Sequence, residues 1–268
     1  HYCSKVHLNI ILSYTKQNYM KAIIFNLFML LTSSWLTNKV VAQNGKLNTA
    51  FYYSSGIVID SKGNAFVTGK NNKVIKISPA GKAELFAGGG RNNKDGFGKD
   101  AGFSNTSGIA IDSSDNLYVA DNTRIRKITP DGMVSTIAGT LVAEVKDGNI
   151  SSATFLHLEG IAIDNNPGKD WTPGKVTNSS YYLIRKISAD GNVTTLQNES
   201  GSKLILQYPR GLACDKESNL YVSASSSHCI KKITPAGIIT TVAGQCDKTI
   251  YNSVYKEGDI KTAVLTTP

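Results

Sequence analysis

Two imidazoles, His157 and His228, follow the first forty-two residues, and they stand in different stretches of the chain; His1 and His7 precede them. A zinc centre needs three or four converging nitrogen or sulfur ligands, so two separated histidines do not build one. Carboxylates are more regular. Asp60, Asp112, Asp164 and Asp215 each close an apolar run. A short carboxylate there accepts turn N–H groups, so we read all four as structural caps rather than as metal ligands facing a channel. Asp121 is read the same way. The stretch Asp164-Asn-Asn-Pro-Gly-Lys-Asp170 has oxygen donors at alternate positions, in the manner of a calcium loop. It lacks the glycine at the sixth place and the downstream bidentate glutamate. No Gly-x-Ser-x-Gly elbow, phosphate-cradling glycine loop or Ser/His/Asp constellation occurs. The sequence therefore offers no catalytic residues and no metal site, with calcium as the one cofactor left open.

Binding chemistry is better represented. Arg91, Lys94, Asp95, Asp147 and His157 fall in long polar connections, Gly88–Ser107 and Gly139–Glu159; a third such connection is Gln245–Pro268. Trp171 sits in a nine-residue stretch, Asn165–Pro173, where the corresponding turn elsewhere has four residues, 113–116. Long loops on a rigid frame carry binding residues, and tryptophan is a strong anchor; a tryptophan that plugs its own weak strand is the alternative. Cys214 lies in an apolar run and reads as a small core residue. Cys229 and Cys246 flank a predicted hairpin. Their register is offset by about three residues and a bridge requires Cα atoms within about 7 Å, so a disulfide and two free thiols both stay open.

The elements that must hold these residues recur. Gly56-Ile-Val-Ile-Asp60, Gly108-Ile-Ala-Ile-Asp112, Gly160-Ile-Ala-Ile-Asp164 and Gly211-Leu-Ala-Cys-Asp215 align, with glycines 52, 52 and 51 residues apart. Each is followed by three further short β-rich runs. The third carries bases: Lys76, Arg126 and Lys127, Arg185 and Lys186, Lys231 and Lys232. We expect these on solvated outer strands, where lysine resists edge pairing. A turn separates the third and fourth runs: Ser78-Pro-Ala-Gly81, Thr129-Pro-Asp-Gly132, Ser188-Ala-Asp-Gly191 and Thr234-Pro-Ala-Gly237. Proline presets the second turn position and glycine takes the positive φ at the end. Four short antiparallel strands at a fixed period predict the blades of a β-propeller, an all-β fold in which each sheet must be shielded by its neighbours.

The string Gly108-Ile-Ala-Ile-Asp-Ser-Ser-Asp-Asn-Leu-Tyr-Val-Ala-Asp121, continuing to Ile128, resembles the NHL repeat, and the resemblance extends over residues 56–268. It implies a propeller of six blades, of which four are seen, with the Gly-Ile-Ala-Ile-Asp strand nearest the axis. Paired with a leader, it is similar to exported bacterial NHL proteins. The connections share a motif: Asp95-Gly-x4-Ala101-x-Phe103, Asp147-Gly-x4-Ala153-x-Phe155 and Glu257-Gly-x4-Ala263-x-Leu265. It predicts another glycine two places past Pro268, so residues 43–268 are expected to be a propeller cut short at its C-terminus; a closed four-bladed propeller is the alternative.

Met20-Lys21 and the apolar run Ala22–Leu31 read as a signal peptide over 20–42, and residues 1–19 as upstream translation that is not part of the native protein. The run is too short for a transmembrane helix, which needs about 20 apolar residues. The formal charge of +9 includes four lysines before residue 43; beyond them 25 bases face 20 acids. That mild excess and an exported chain argue against nucleic acid. The expectation is an exported scaffold, in the envelope or beyond it, that binds a protein or glycan at the cell surface. The rival is a calcium- or zinc-dependent propeller hydrolase or lyase resembling lactonases or strictosidine-synthase-like enzymes; the zinc site of the peptide-amidating lyases, which uses several histidines, does not fit these residues.

Overall fold

The computed structural model describes residues 54–69, 71–90, 93–164, 175–180, 183–206, 209–224, 228–244, 246, 257–260, 263 and 265. The expected leader, Arg91, and Trp171 with the whole of its loop, Asn165–Pro173, lie outside them.

Four repeats give four antiparallel sheets arranged as a propeller. The first blade is β1 (Ser54–Ile59), β2 (Ala65–Gly69), β3 (Lys73–Ile77) and β4 (Ala83–Ala87). A short strand, β5 (Gly96–Phe97), then joins the next blade: β6 (Thr106–Ile111), β7 (Leu117–Asp121), β8 (Arg124–Ile128) and β9 (Met133–Gly139). The same happens with β10 (Gly148–Asn149), which joins β11 (Leu158–Asp164), β12 (Lys175–Ser180), β13 (Leu183–Ile187) and β14 (Asn192–Thr195). The fourth blade is β15 (Pro209–Cys214), β16 (Leu220–Ala224), β17 (Cys229–Ile233) and β18 (Ile239–Gly244). Strands follow one another in sequence order across each blade. Two sheets therefore have five strands rather than the expected four, because β5 pairs with β9 and β10 with β14, covering outer edges that would otherwise stay open.

The glycine-led strands are innermost: β1 packs on β6, β6 on β11 and β11 on β15. Glycine is needed there because a Cβ on Gly108 would stand 2.7 Å from the Glu159 carbonyl oxygen of the next blade. The core lies between blades. Phe66, Val74 and Ala87 of the first meet Ile109, Leu117, Val119, Ile128 and Val134 of the second, with Ala101 and Phe103 of the connection wedged between. Ala110, Tyr118, Ala120, Ile125 and Ala138 meet Ile161, Ile163, Ile187 and Val193 around Ala153 and Phe155. The third seam holds Ala162, Ile184, Leu220, Val222 and Ile233 around Leu204 and Leu206. Alternate residues of one strand thus serve opposite seams: Leu117 and Val119 face backward, Tyr118 and Ala120 forward. Both faces are covered, so the runs read as continuously apolar.

The turn glycines have the expected positive φ, +80° at Gly81, +99° at Gly132, +80° at Gly191 and +84° at Gly237. In the third blade β12 runs to Ser180 and pairs Ile163 with Val176. The residue matching Asp121 is therefore Ser180, opposite Leu183 as Asp121 is opposite Arg124. Cys229 and Cys246 form a disulfide with Cα atoms 5.3 Å apart. Cys229 pairs with Gly244, two residues before its partner, so the offset is small enough to bridge.

Candidate functional site

Three of the strand-ending acids, Asp60, Asp112 and Asp215, are turn caps; the turn after Asp164 lies outside the described residues. Asp60 Oδ1 accepts from the Lys62 and Asn64 backbone N–H groups at 3.0 and 2.7 Å, and Oδ2 from Asn64 Nδ2. Asp112 does the same with Ser114 and Asn116 and also accepts from the Tyr118 hydroxyl at 3.0 Å. Burial first, and then the Asp112 charge, push the Tyr118 phenol well above its ordinary value. Asp215 repeats the pattern with Glu217, Asn219 and Tyr221. Burial pushes its carboxyl up, but the hydrogen bonds from Asn219, Tyr221 and Glu217 outweigh this and hold it below the usual value. These lone pairs are occupied by the fold. A further bond escaped the sequence reading. Ser61 gives its N–H and its hydroxyl to Asp115 of the next blade at 2.8 and 2.6 Å.

The basic ladder is not uniformly solvated. Arg126 and Arg185 are 0% exposed, contrary to the outer-strand expectation. Arg126 donates from Nη1 to Asp121 Oδ2 at 2.9 Å and to the Gly102 carbonyl, and from Nη2 to Asp95 Oδ1 at 2.8 Å. Arg185 donates from Nη1 to the Thr154 carbonyl and from Nη2 to Asp147 Oδ1 at 2.8 Å. Each guanidinium lies over an aromatic ring, Phe103 or Phe155, 5.1 Å from its centroid. The reason is strand periodicity: in each Arg-Lys pair adjacent side chains face opposite seams. Asp121 accepts backbone N–H groups as a cap does, but those of the preceding linker rather than of its own turn. It is fully buried between Arg126 and the backbone N–H groups of Ser104 and Asn105.

Asp95 and Asp147 therefore sit at seams. Asp95 also accepts from Thr136 N and Oγ1, and Asp147 from Thr195 N and Oγ1. Burial pushes both carboxyls up. The threonine hydrogen bonds and the arginine charge outweigh it, so both titrate below the usual aspartate value. Each acid thus ties a connection to strands three and four of the following blade. The structure does not gather the four described linker candidates, Lys94, Asp95, Asp147 and His157, at one point. Lys94 is exposed and gives its carbonyl to Arg126, while His157 is exposed with a left-handed φ of +46°. All lie at the blade end where strand four of one blade leads to strand one of the next. The stretch between β11 and β12, which contains Trp171, joins strand ends at the opposite face.

The linker face also carries apolar side chains that the sequence reading passed over. Leu141 is 73% exposed and Ile205 69%, with Val142 exposed beside Leu141. Among the described residues, no three His, Cys, Asp or Glu side chains lie together as metal ligands would. No helix among them is long and apolar enough to cross a membrane.

An all-β propeller of four described blades is the class this architecture defines. None of the family models matches the sequence, and no curated protein sequence matches it. Solved structures do resemble it. A streptogramin B lyase is 15% identical with a TM-score of 0.53, over 76% of this chain and 58% of that one. An auxiliary nutrient binding protein from Bacteroides thetaiotaomicron is 14% identical with a TM-score of 0.53, over 69% of this chain and 47% of that one. Another, from Bacteroides ovatus, is 16% identical with a TM-score of 0.52, over 70% and 48%. The chain thus spans about half of the proteins it resembles, and at such identities the likeness is one of fold.

Proposed function

We propose that this protein is an exported, non-catalytic binding scaffold whose linker face holds a protein or glycan ligand at the cell surface. One observation carries the reading. Asp60, Asp95, Asp112, Asp121, Asp147 and Asp215, which would be natural catalytic or metal-binding candidates, spend their oxygens on turns and seams, whereas Leu141, Val142, Ile205, Lys94 and His157 stand free of the core on one face. Exposed apolar side chains beside bases and an imidazole suit a mixed polar and apolar ligand. Asp95 and Asp147 serve that face by fixing the linkers. Trp171 and Arg91 remain candidate contacts, and the likeness to nutrient-binding propellers supports binding as the use of this fold. Leader cleavage before Gln43 is part of the proposal and would appear in the mass of the exported product.

The test is capture of cell-envelope protein and glycan fractions by the immobilised chain. The double substitution Leu141→Ser and Val142→Ser should lower capture about tenfold or more, as loss of a central apolar anchor does, with the melting temperature unchanged. Loss on Trp171→Ala alone would move the site to the opposite face. Stoichiometric calcium or zinc in the purified protein, removed by a carboxylate substitution, would replace this reading with the metal-dependent enzyme.

A further inference from the structure

We propose that the innermost strands form a small site on the linker face, where Glu159 takes the ammonium and Arg210 the carboxylate of an amino acid or short peptide. This site rests on the reading of that face as the binding face. All four blades share an irregularity. The first strand of each carries one residue more than its neighbour at the same place: between Ser54 and Gly56, Thr106 and Ile109, Leu158 and Ile161, and Pro209 and Leu212. Such a bulge bends its strand and re-aims a side chain, and bulges gather beside functional sites for that reason. The residue ahead of each glycine is the one presented. Ser55, Glu159 and Arg210 are exposed and Ser107 is half-buried, whereas Thr106, Leu158 and Pro209, one place earlier, are buried.

Packing explains the glycines but not the residues ahead of them. Up to the capping aspartates these strands are otherwise uncharged, so a carboxylate and a guanidinium at this one place stand out. They belong to neighbouring blades. A Cβ on Gly160, the residue after Glu159, would lie 2.0 Å from the Arg210 carbonyl oxygen, so the two backbones touch. Ser107 Oγ donates to the Leu158 carbonyl at 2.7 Å, which fixes the peptide leading into Glu159. Gly211 N–H donates to Ser223 Oγ at 2.9 Å, which fixes the peptide following Arg210. The backbones are pinned, but the charges are unused. Among the described residues neither side chain has a hydrogen-bond or ion-pair partner, and no ion pair joins the two. The pair of signs selects the ligand. A plain anion drawn to Arg210 meets the charge of Glu159, and a plain cation drawn to Glu159 meets that of Arg210. A molecule carrying both charges satisfies both. The guanidinium fork matches a carboxylate, and Glu159 accepts the N–H groups of an ammonium.

Titration of the whole chain with alanine, dialanine and trialanine, followed by NMR at the amides of Gly108, Gly160 and Gly211, tests this. At least one probe should shift these amides, and which one does separates an amino acid from a peptide. N-acetylation and C-terminal amidation of that probe should each weaken binding about fivefold, the upper end for exposed charge pairs. Glu159→Gln should erase the penalty of acetylation, and Arg210→Gln that of amidation; both side chains are exposed, so the fold should stand. Equal binding of free and capped probes overturns the proposal. So does a penalty that survives both substitutions, or no shift with any probe. Envelope capture without a response to the probes would sink this site and leave the linker-face reading standing. A response that persists in Leu141→Ser with Val142→Ser, where capture is lost, supports it as a site of its own.

Discussion

Arg126 and Arg185 look alike in sequence but carry different loads. Arg126 neutralises a fully buried carboxylate, Asp121, as well as the half-exposed Asp95. Among the described residues Arg185 pairs with one carboxylate, the half-exposed Asp147, and Ser180 holds the position of Asp121. Removing one partner of a buried ion pair costs about 3–5 kcal/mol because the other charge is stranded. Arg126→Met should therefore cost about that much in urea unfolding, and Arg185→Met visibly less, about 1–3 kcal/mol. Equal losses would show that Asp121 is not the reason. Acid tests the linker aspartates. Asp95 and Asp147 titrate lower in the folded chain than in the unfolded one, so the folded chain binds fewer protons. Their contribution is complete above the ordinary value of 3.8 and disappears as pH falls below it. The fall in stability below about pH 4 should be shallower in the double variant Asp95→Asn and Asp147→Asn. The turn-capping acids were legible in the sequence because a cap is local. The buried arginines were not, because a base between apolar residues looks like a strand's wet face. A signal was there all the same: arginine stands at that place only in the blades whose preceding linker carries Asp-Gly.

Among the elements, the strands and turns were legible since apolar runs and turn glycines recur at a fixed period, whereas the linker strands β5 and β10 were hidden in two-residue pieces that only the neighbouring blade defines. Gly139 and Gly81 separate two uses of the same backbone freedom. Both have positive φ, +87° and +80°. At Gly81 a Cβ would meet open space, and at Gly139 it would run into the Thr123 carbonyl and Phe155. Gly81→Ala should cost about 1 kcal/mol, the ordinary left-handed penalty. Gly139→Ala should cost about 3 kcal/mol or more in the same unfolding measurement, since strain and seam clash add. The Cys229–Cys246 bridge closes a 17-residue separation within the fourth blade. A loop of that size is worth about 3 kcal/mol. Reduction should therefore lower the thermal midpoint, and Cys229→Ser with Cys246→Ser should make the protein insensitive to reductant.

For the whole molecule, the four-blade arrangement could be read in advance because no blade shields both of its faces alone. Its seams could not be ranked in advance, since their strength depends on side chains from two blades and the linker between. Two seams are tied by an acid, an arginine and a threonine around a phenylalanine. The third is not. Its linker pairs Gln197 with Lys203 and Ile205 with Leu183, and among the described residues the Lys231 amine of the fourth blade donates to Thr241 Oγ1 at 3.3 Å and to no carboxylate. It rests on Leu204, Leu206 and their apolar neighbours. A molecule stapled unevenly comes apart in a set order. Pulled gently from its two ends, it should first release the last sheet as an intact, disulfide-clasped flap, while the first three hold together until the load is greater.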